Sequence, residues 1–185
     1  MNGWHVLLGV GFLLLLARTF FFLVDVQGGS MIPTLQHGDR VLAMRFFPLQ
    51  WMQHWLKKGG IVILHFNVEA GESEVRPATG EGTLYIKRLI GLPGETVAFR
   101  PADLPPLPPI ISNRQGAQMD EDGRWVWPIP VGHGFVKGDS WGFDSTMIGP
   151  VPLQNIRGVV VMKLRPSRYL QNPVYKSDRQ SDLPE

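Results

Sequence analysis

The sequence predicts a mainly β protein, antiparallel in its sheets, with one N-terminal transmembrane helix. Three observations predict it. Residues 6–24 form an apolar run broken by a single charge, Arg18. Beyond it, short stretches rich in β-branched and aromatic residues alternate with Gly/Pro turn signals. The 185 residues include 21 glycines and 16 prolines, which favours short strands and turns over long helices.

The apolar run is long enough to cross a ~30 Å hydrocarbon layer as a helix. Arg18 lies near its C-terminal end, where its stem can reach the interface. A cleaved signal peptide is the competing reading. Against it, the run exceeds the ~7–15 apolar residues of such peptides, and residues 1–5 carry no Lys or Arg. The same lack leaves orientation unread by the positive-inside rule. The expected organisation is a membrane anchor over 1–25, one domain over 26–170 with an insert at 101–135, and a loose polar tail over 171–185.

Only Asp25, Val26 and Gln27 separate the run from Gly28-Gly29-Ser30-Met31-Ile32-Pro33-Thr34-Leu35. Extended chain covers only ~3.3–3.6 Å per residue, so Ser30 is expected close to the membrane surface. Gly38-Asp39-Arg40 reads as a turn and residues 41–44 as a short strand. Residues 46–58 combine Phe, Trp and terminal lysines, which fits an interfacial element or a helix packed on the core. Residues 61–66 are a strand after Gly59-Gly60, and 69–82 a polar loop. Residues 83–90 are a strand that puts Tyr85, Lys87 and Leu89 on one face and Ile86, Arg88 and Ile90 on the other. Pro93-Gly94 turns the chain into a strand at 96–99. The prolines of 101–109 forbid a regular helix. Trp125-Val126-Trp127 reads as a short strand, and 159–164 as the last.

Composition narrows the chemistry. A net charge of +2 with Lys and Arg dispersed gives no support to nucleic-acid binding. With no cysteine there is no disulfide framework, thiolate nucleophile or Cys-based zinc site. His5, His37, His54, His65 and His133 lack metal-ligand spacing and read as structural or surface residues. No phosphate loop or dinucleotide fingerprint is present, so neither a metal nor a cofactor is expected. What remains is Ser30, set beside two glycines that let backbone approach closely, and Lys87 inside an apolar strand. A serine hydroxyl needs an adjacent base. A lysine serves only when neutral, which requires burial to pull it well below its ordinary value of ~10.4.

Ser-Met-Ile-Pro-Thr-Leu from Ser30 resembles the nucleophile box of bacterial type I signal peptidases. Tyr-Ile-Lys-Arg-Leu-Ile-Gly-Leu-Pro-Gly-Glu from Tyr85 resembles their lysine box. Gly138-Asp139-Ser140-Trp141-Gly142-Phe143-Asp144-Ser145 resembles their last box, continued by Gly149-Pro150-Val151-Pro152. The three occur in the family's order behind an apolar N-terminus. The resemblance implies a membrane-bound serine endopeptidase that removes leader peptides from exported proteins, in an antiparallel β catalytic domain. Ser30 would be the nucleophile and Lys87 the general base, with signal-peptide-bearing precursors and the lipid bilayer as partners. The location implied is a single pass in the cell membrane with the catalytic domain outside.

The resemblance further implies an Arg88–Asp144 ion pair and an oxyanion donor in the Ser30 N–H. The position of the family's second donor is Gly28, which has no hydroxyl. The third box is two positions short, and Trp141 and Thr146 stand where arginines are expected. The serine that orients the lysine amine is displaced, and Ser140 and Ser145 are both candidates for its role. Two other readings share these residues. One is a serine–lysine maturation peptidase with a narrow clientele, for a conjugation pilin or a peptide. The other is a non-catalytic membrane-anchored binding protein on the same scaffold.

Overall fold

A computed structural model describes residues 3–45, 56–67, 76–77, 84–107 and 113–166. Its framework is an antiparallel sheet of eight strands. Helix α1 (Gly3–Phe20) leads into β1 (Phe21–Asp25), followed by β2 (Asp39–Arg45), β3 (Ile61–Asn67), β4 (Arg76–Pro77) and β5 (Leu84–Gly91). Later in the chain, β9 (His133–Lys137), β10 (Val151–Pro152) and β11 (Ile156–Pro166) complete it. The spatial order is β1-β2-β11-β3-β5-β9-β10, with β4 paired to β3 alone. The final strand is therefore inserted between the first hairpin and the rest.

The strands alternate as period-2 side-chain geometry requires. Val62 and Leu64 of β3, with Leu89 of β5, feed a core that also buries Val136, Val151, Leu153 and Ile156. Ile61 and Ile86, of opposite parity, pack instead on Val26, Met31, Leu35 and Val41. Lys87 thus shares the parity of Leu89, and Arg88 does not, as the alternation predicted.

The apolar run does not continue as one helix to its end. The helix α1 stops at Phe20 and the next residues pair with β2, Phe21 opposite Met44 and Val24 opposite Val41. Phe and Val are strong strand formers, and β2 offers this segment a ladder that a helix end lacks. At 18 residues, α1 measures about 27 Å. Among the described residues no helix is long and apolar enough to cross a membrane.

The segment expected as an insert has structure of its own. Strands β6 (Thr96–Phe99), β7 (Gln118–Met119) and β8 (Trp125–Pro128) form a second sheet in the order β6-β8-β7. Its core holds Leu104, Trp127, Ile129 and Phe135, with Ile90 packed against it. Phe135 belongs to β9 and Ile90 to β5, so the expected limits of 101–135 cut through a continuous core. Trp127 is fully buried and donates its Nε1–H to the Gln115 carbonyl at 3.0 Å. The interfacial element expected at 46–58 lies outside the described residues up to 55; Leu56 is buried in the main core. Most of the expected 69–82 loop, and the whole 171–185 tail, also lie outside them.

Candidate active site

Ser30 sits in the loop between β1 and β2. Its neck is closed by Val26 N–H to the Asp39 carbonyl and Gly38 N–H to the Val26 carbonyl, each 2.8 Å. Inside the loop, Ile32 N–H bonds the Gly29 carbonyl at 3.0 Å and Leu35 N–H the Met31 carbonyl at 2.8 Å. Met31 and Leu35, each 2% exposed, pin the turn to the second core. The Ser30 N–H donates to nothing among the described residues, which leaves it available to an oxyanion.

Lys87 comes from the middle of β5 and is only 3% exposed. Burial pulls its amine below the ordinary lysine value, Lys137 lowers it further by like-charge repulsion, and the Asp144 carboxylate opposes both. Among the described residues its Nζ has no hydrogen bond or ion pair. Desolvation and not a partner thus sets its state, as an amine that must be neutral requires.

The third box brings the two groups together. Ser140 N–H donates to the Ser30 carbonyl at 3.0 Å. At Gly142 a Cβ would stand 3.0 Å from Ser30 Cβ and 3.6 Å from Lys87 Nζ. The serine carbon and the lysine nitrogen therefore cannot be farther apart than those two distances combined. A Cβ at Gly138 would stand 2.6 Å from the Ser30 carbonyl oxygen. Both glycines are needed because the box lies backbone-on-backbone against the Ser30 turn.

Arg88 does not pair with Asp144. Its guanidinium grips Asp139 with both prongs, Nε to Oδ1 at 2.7 Å and Nη2 to Oδ2 at 2.6 Å. It also donates to Thr34 Oγ1 at 3.0 Å and to the Gly59 carbonyl at 2.6 Å. Thr34 Oγ1 in turn donates to Asp139 Oδ2 at 2.5 Å. Hydrogen bonds from Arg88 and Thr34 hold the Asp139 carboxyl below the usual carboxylate range, and the same pair raises Arg88. Asp144 is occupied otherwise. It caps the short helix α2 (Ser145–Ile148) through Thr146 N–H at 3.0 Å, takes the Thr146 hydroxyl at 2.6 Å, and accepts Gly138 N–H at 3.0 Å. One aspartate ties the box to the nucleophile loop; the other closes the box on itself.

Neither serine proposed to orient Lys87 hydrogen-bonds it. Ser145 is fully buried and its Oγ accepts Val136 N–H at 3.0 Å. Ser140 acts through its backbone. Gly28 N–H is likewise engaged, donating to His37 Nδ1 at 3.1 Å. Sequence reasoning missed Asp139, Thr34, Gly142 and His37. Only Asp139 carried a signal, as the first acid of the third box.

Ser30 and Lys87 open onto a groove of about 800 Å³. Phe22 and Val24 of β1, Tyr85 and Ile86 of β5, and Trp141 and Phe143 of the third box line it. The rings of Tyr85 and Phe143 lie 6.0 Å apart, and Trp141 stands 71% exposed. Such a lining suits an apolar chain and offers its sides little charge. Among the described residues no cluster of His, Asp or Glu is arranged to hold a metal ion.

Known proteins resemble this chain over most of its length. The family model described as "Signal peptidase, peptidase S26" matches residues 2–164. "Signal peptidase I V" of Bacillus subtilis (strain 168) is 30% identical over 151 residues, 73% of this chain and 80% of the relative. "Signal peptidase I" of Leptolyngbya laminosa is 30% identical over 172 residues, 89% of this chain and 76% of the relative. The "Mitochondrial ATP-independent inner membrane protease subunit 1a" of Arabidopsis thaliana is 28% identical over 166 residues, 85% of this chain and 80% of the relative. A match over nearly the whole described chain, with relatives at this identity and coverage, makes it a member of the signal peptidase family, peptidase S26, and an enzyme of the hydrolase class.

Proposed function

We propose that this enzyme is a membrane-bound serine endopeptidase that removes signal peptides from exported proteins, with Ser30 as nucleophile and Lys87 as general base. The observation that carries the reading is Gly142, whose missing side chain would touch both Ser30 Cβ and Lys87 Nζ. A buried amine with a lowered proton affinity beside a serine serves as nucleophile and base once bound substrate draws the two into hydrogen-bond reach. Lys87 Nζ takes the Ser30 hydroxyl proton as Oγ attacks the scissile carbonyl. The Ser30 N–H donates to the oxygen that gains charge. The resulting ammonium gives its proton to the departing amine, and water, deprotonated by Lys87, hydrolyses the acyl-enzyme.

The substrate enters through the apolar groove, which matches the leader of a precursor. We propose that α1 anchors the enzyme to the membrane through its apolar surface, with the β domain on the extracytoplasmic side. The exposed apolar side chains of α1 support this: Leu7 at 72%, Phe12 at 63% and Leu13 at 67% have no protein to cover them. Phe21 and Leu23 of β1 extend the same apolar surface.

The test is cleavage of a leader-bearing precursor by the wild type, Ser30→Ala and Lys87→Ala, beside carbonate extraction of membranes. Processing by the wild type alone is expected, with the protein kept in the pellet. Equal processing by all three would remove the Ser30–Lys87 mechanism, and release by carbonate would remove the anchor.

A further inference from the structure

We infer that His37 is a positioning residue that holds the N-terminal side of the Ser30 turn. The inference rests on the reading of Ser30 as nucleophile. Past that serine the loop is fastened in several ways: the Ser30 carbonyl accepts Ser140 N–H, and Met31 and Leu35 are buried. Before it stand two glycines, the residues that lose most conformational freedom on folding. Gly28 adopts φ +81°, in the left-handed region. Between the Val26 neck and Ser30, the Gly28 peptide is held by one side chain. Its N–H donates to His37 Nδ1 at 3.1 Å.

The backbone that carries His37 is itself fixed. Asp39 Oδ2 accepts Gln36 N–H at 2.7 Å and the Lys163 ammonium at 2.7 Å, and Gly38 N–H returns to the Val26 carbonyl. The imidazole therefore transmits a rigid position on one side of the loop to a flexible dipeptide on the other. Nδ1 accepts only while it carries no proton, so the ring proton sits on Nε2. His37 does not line the groove, so its removal acts on the serine and not on the grip on substrate. It also keeps the Gly28 N–H from serving the oxyanion.

The test measures kcat and KM of the full-length protein in detergent micelles on a leader-bearing precursor peptide. His37→Ala is expected to lower kcat roughly tenfold or more with KM nearly unchanged, the signature of a displaced reacting group. His37→Asn, whose Oδ1 can stand where Nδ1 stood, is expected to recover most of the loss. Wild-type kcat in His37→Ala, or equal loss in the Asn and Ala variants, would overturn the inference. Should His37→Ala fail to fold, amide exchange at Gly28 of the wild type decides: slowed exchange is expected, and free exchange overturns the clamp. Ser30→Ala is assayed in parallel, and its activity alone judges the nucleophile assignment.

Discussion

Gly142→Ala adds one carbon at the point where the third box meets both Ser30 and Lys87. That carbon would stand 3.0 Å from Ser30 Cβ and 3.6 Å from Lys87 Nζ. Carbon atoms rest at about 3.5–4.0 Å, so the serine side of the contact must open by about half an ångström. Gly142 is not among the glycines with positive φ, so the backbone tolerates the substitution and only the contact resists it. A misplacement of 1 Å costs about a hundredfold in rate, which makes half of that about tenfold in kcat. Overpacking of this size costs about 1 kcal/mol of stability. Single-turnover cleavage of a leader peptide, with a thermal melt on the same sample, reads both effects. Wild-type kcat with an unchanged melt would refute the claim that the box sets the spacing of serine and lysine. A Gly142→Ser variant meets the same contact but brings a hydroxyl beside Lys87 Nζ, and is expected to fall less than the alanine variant.

Other expectations follow from the charges. As the proposed base Lys87 must be neutral, so kcat/KM is expected to rise with pH through its lowered value; Lys137→Ala removes a depressing charge and is expected to move that limb to higher pH, which a pH–rate profile checks. Burial of Lys87 costs the fold stability as pH falls below the ordinary lysine value, and the full cost is reached below the amine's lowered value. Lys87→Met is therefore expected to abolish cleavage while raising the melting temperature at neutral pH, an advantage that vanishes above the ordinary lysine value. The Arg88–Asp139 pair is bidentate and mostly shielded, at 28% and 14% side-chain exposure, so Asp139→Ala costs roughly 2 kcal/mol in urea unfolding. A double-mutant cycle should couple Arg88 to Asp139 and not to Asp144. The stability that Asp139 supplies is present above the ordinary carboxylate value near ~3.9 and lost as pH falls through its lowered one; Asp139→Asn flattens that acid limb of the melting curve.

Much of this arrangement was legible in the chain because its signals are local. Alternation along residues 83–90 placed Lys87 and Arg88 on opposite faces, and β5 keeps them there. Strands at 41–44, 61–66, 96–99 and 125–127 appear where β-rich residues meet turn residues. Features that failed depend on partners far away in sequence. Asp139 and Asp144 are both acids of one short box, and nothing local says which reaches Arg88. The answer lies in the fold, where Asp144 is consumed by Gly138 and Thr146. The apolar run could not reveal its break at Phe20, since hydropathy counts a membrane helix and an apolar strand alike. His37 read only as a structural or surface residue beside a turn, because its acceptor role exists only once Gly28 is folded back across the loop.

The junction of α1 and β1 has a mechanical meaning. No spacer separates Phe20 from Phe21, and β1 is both the continuation of the helix and a wall of the groove. Its five residues span about 17 Å. With α1 in the bilayer as proposed, that strand acts as a ruler and not a tether. It fixes the height above the lipid at which a bond can be cut, and a leader whose cleavage point emerges higher or lower would pass the blade without meeting it.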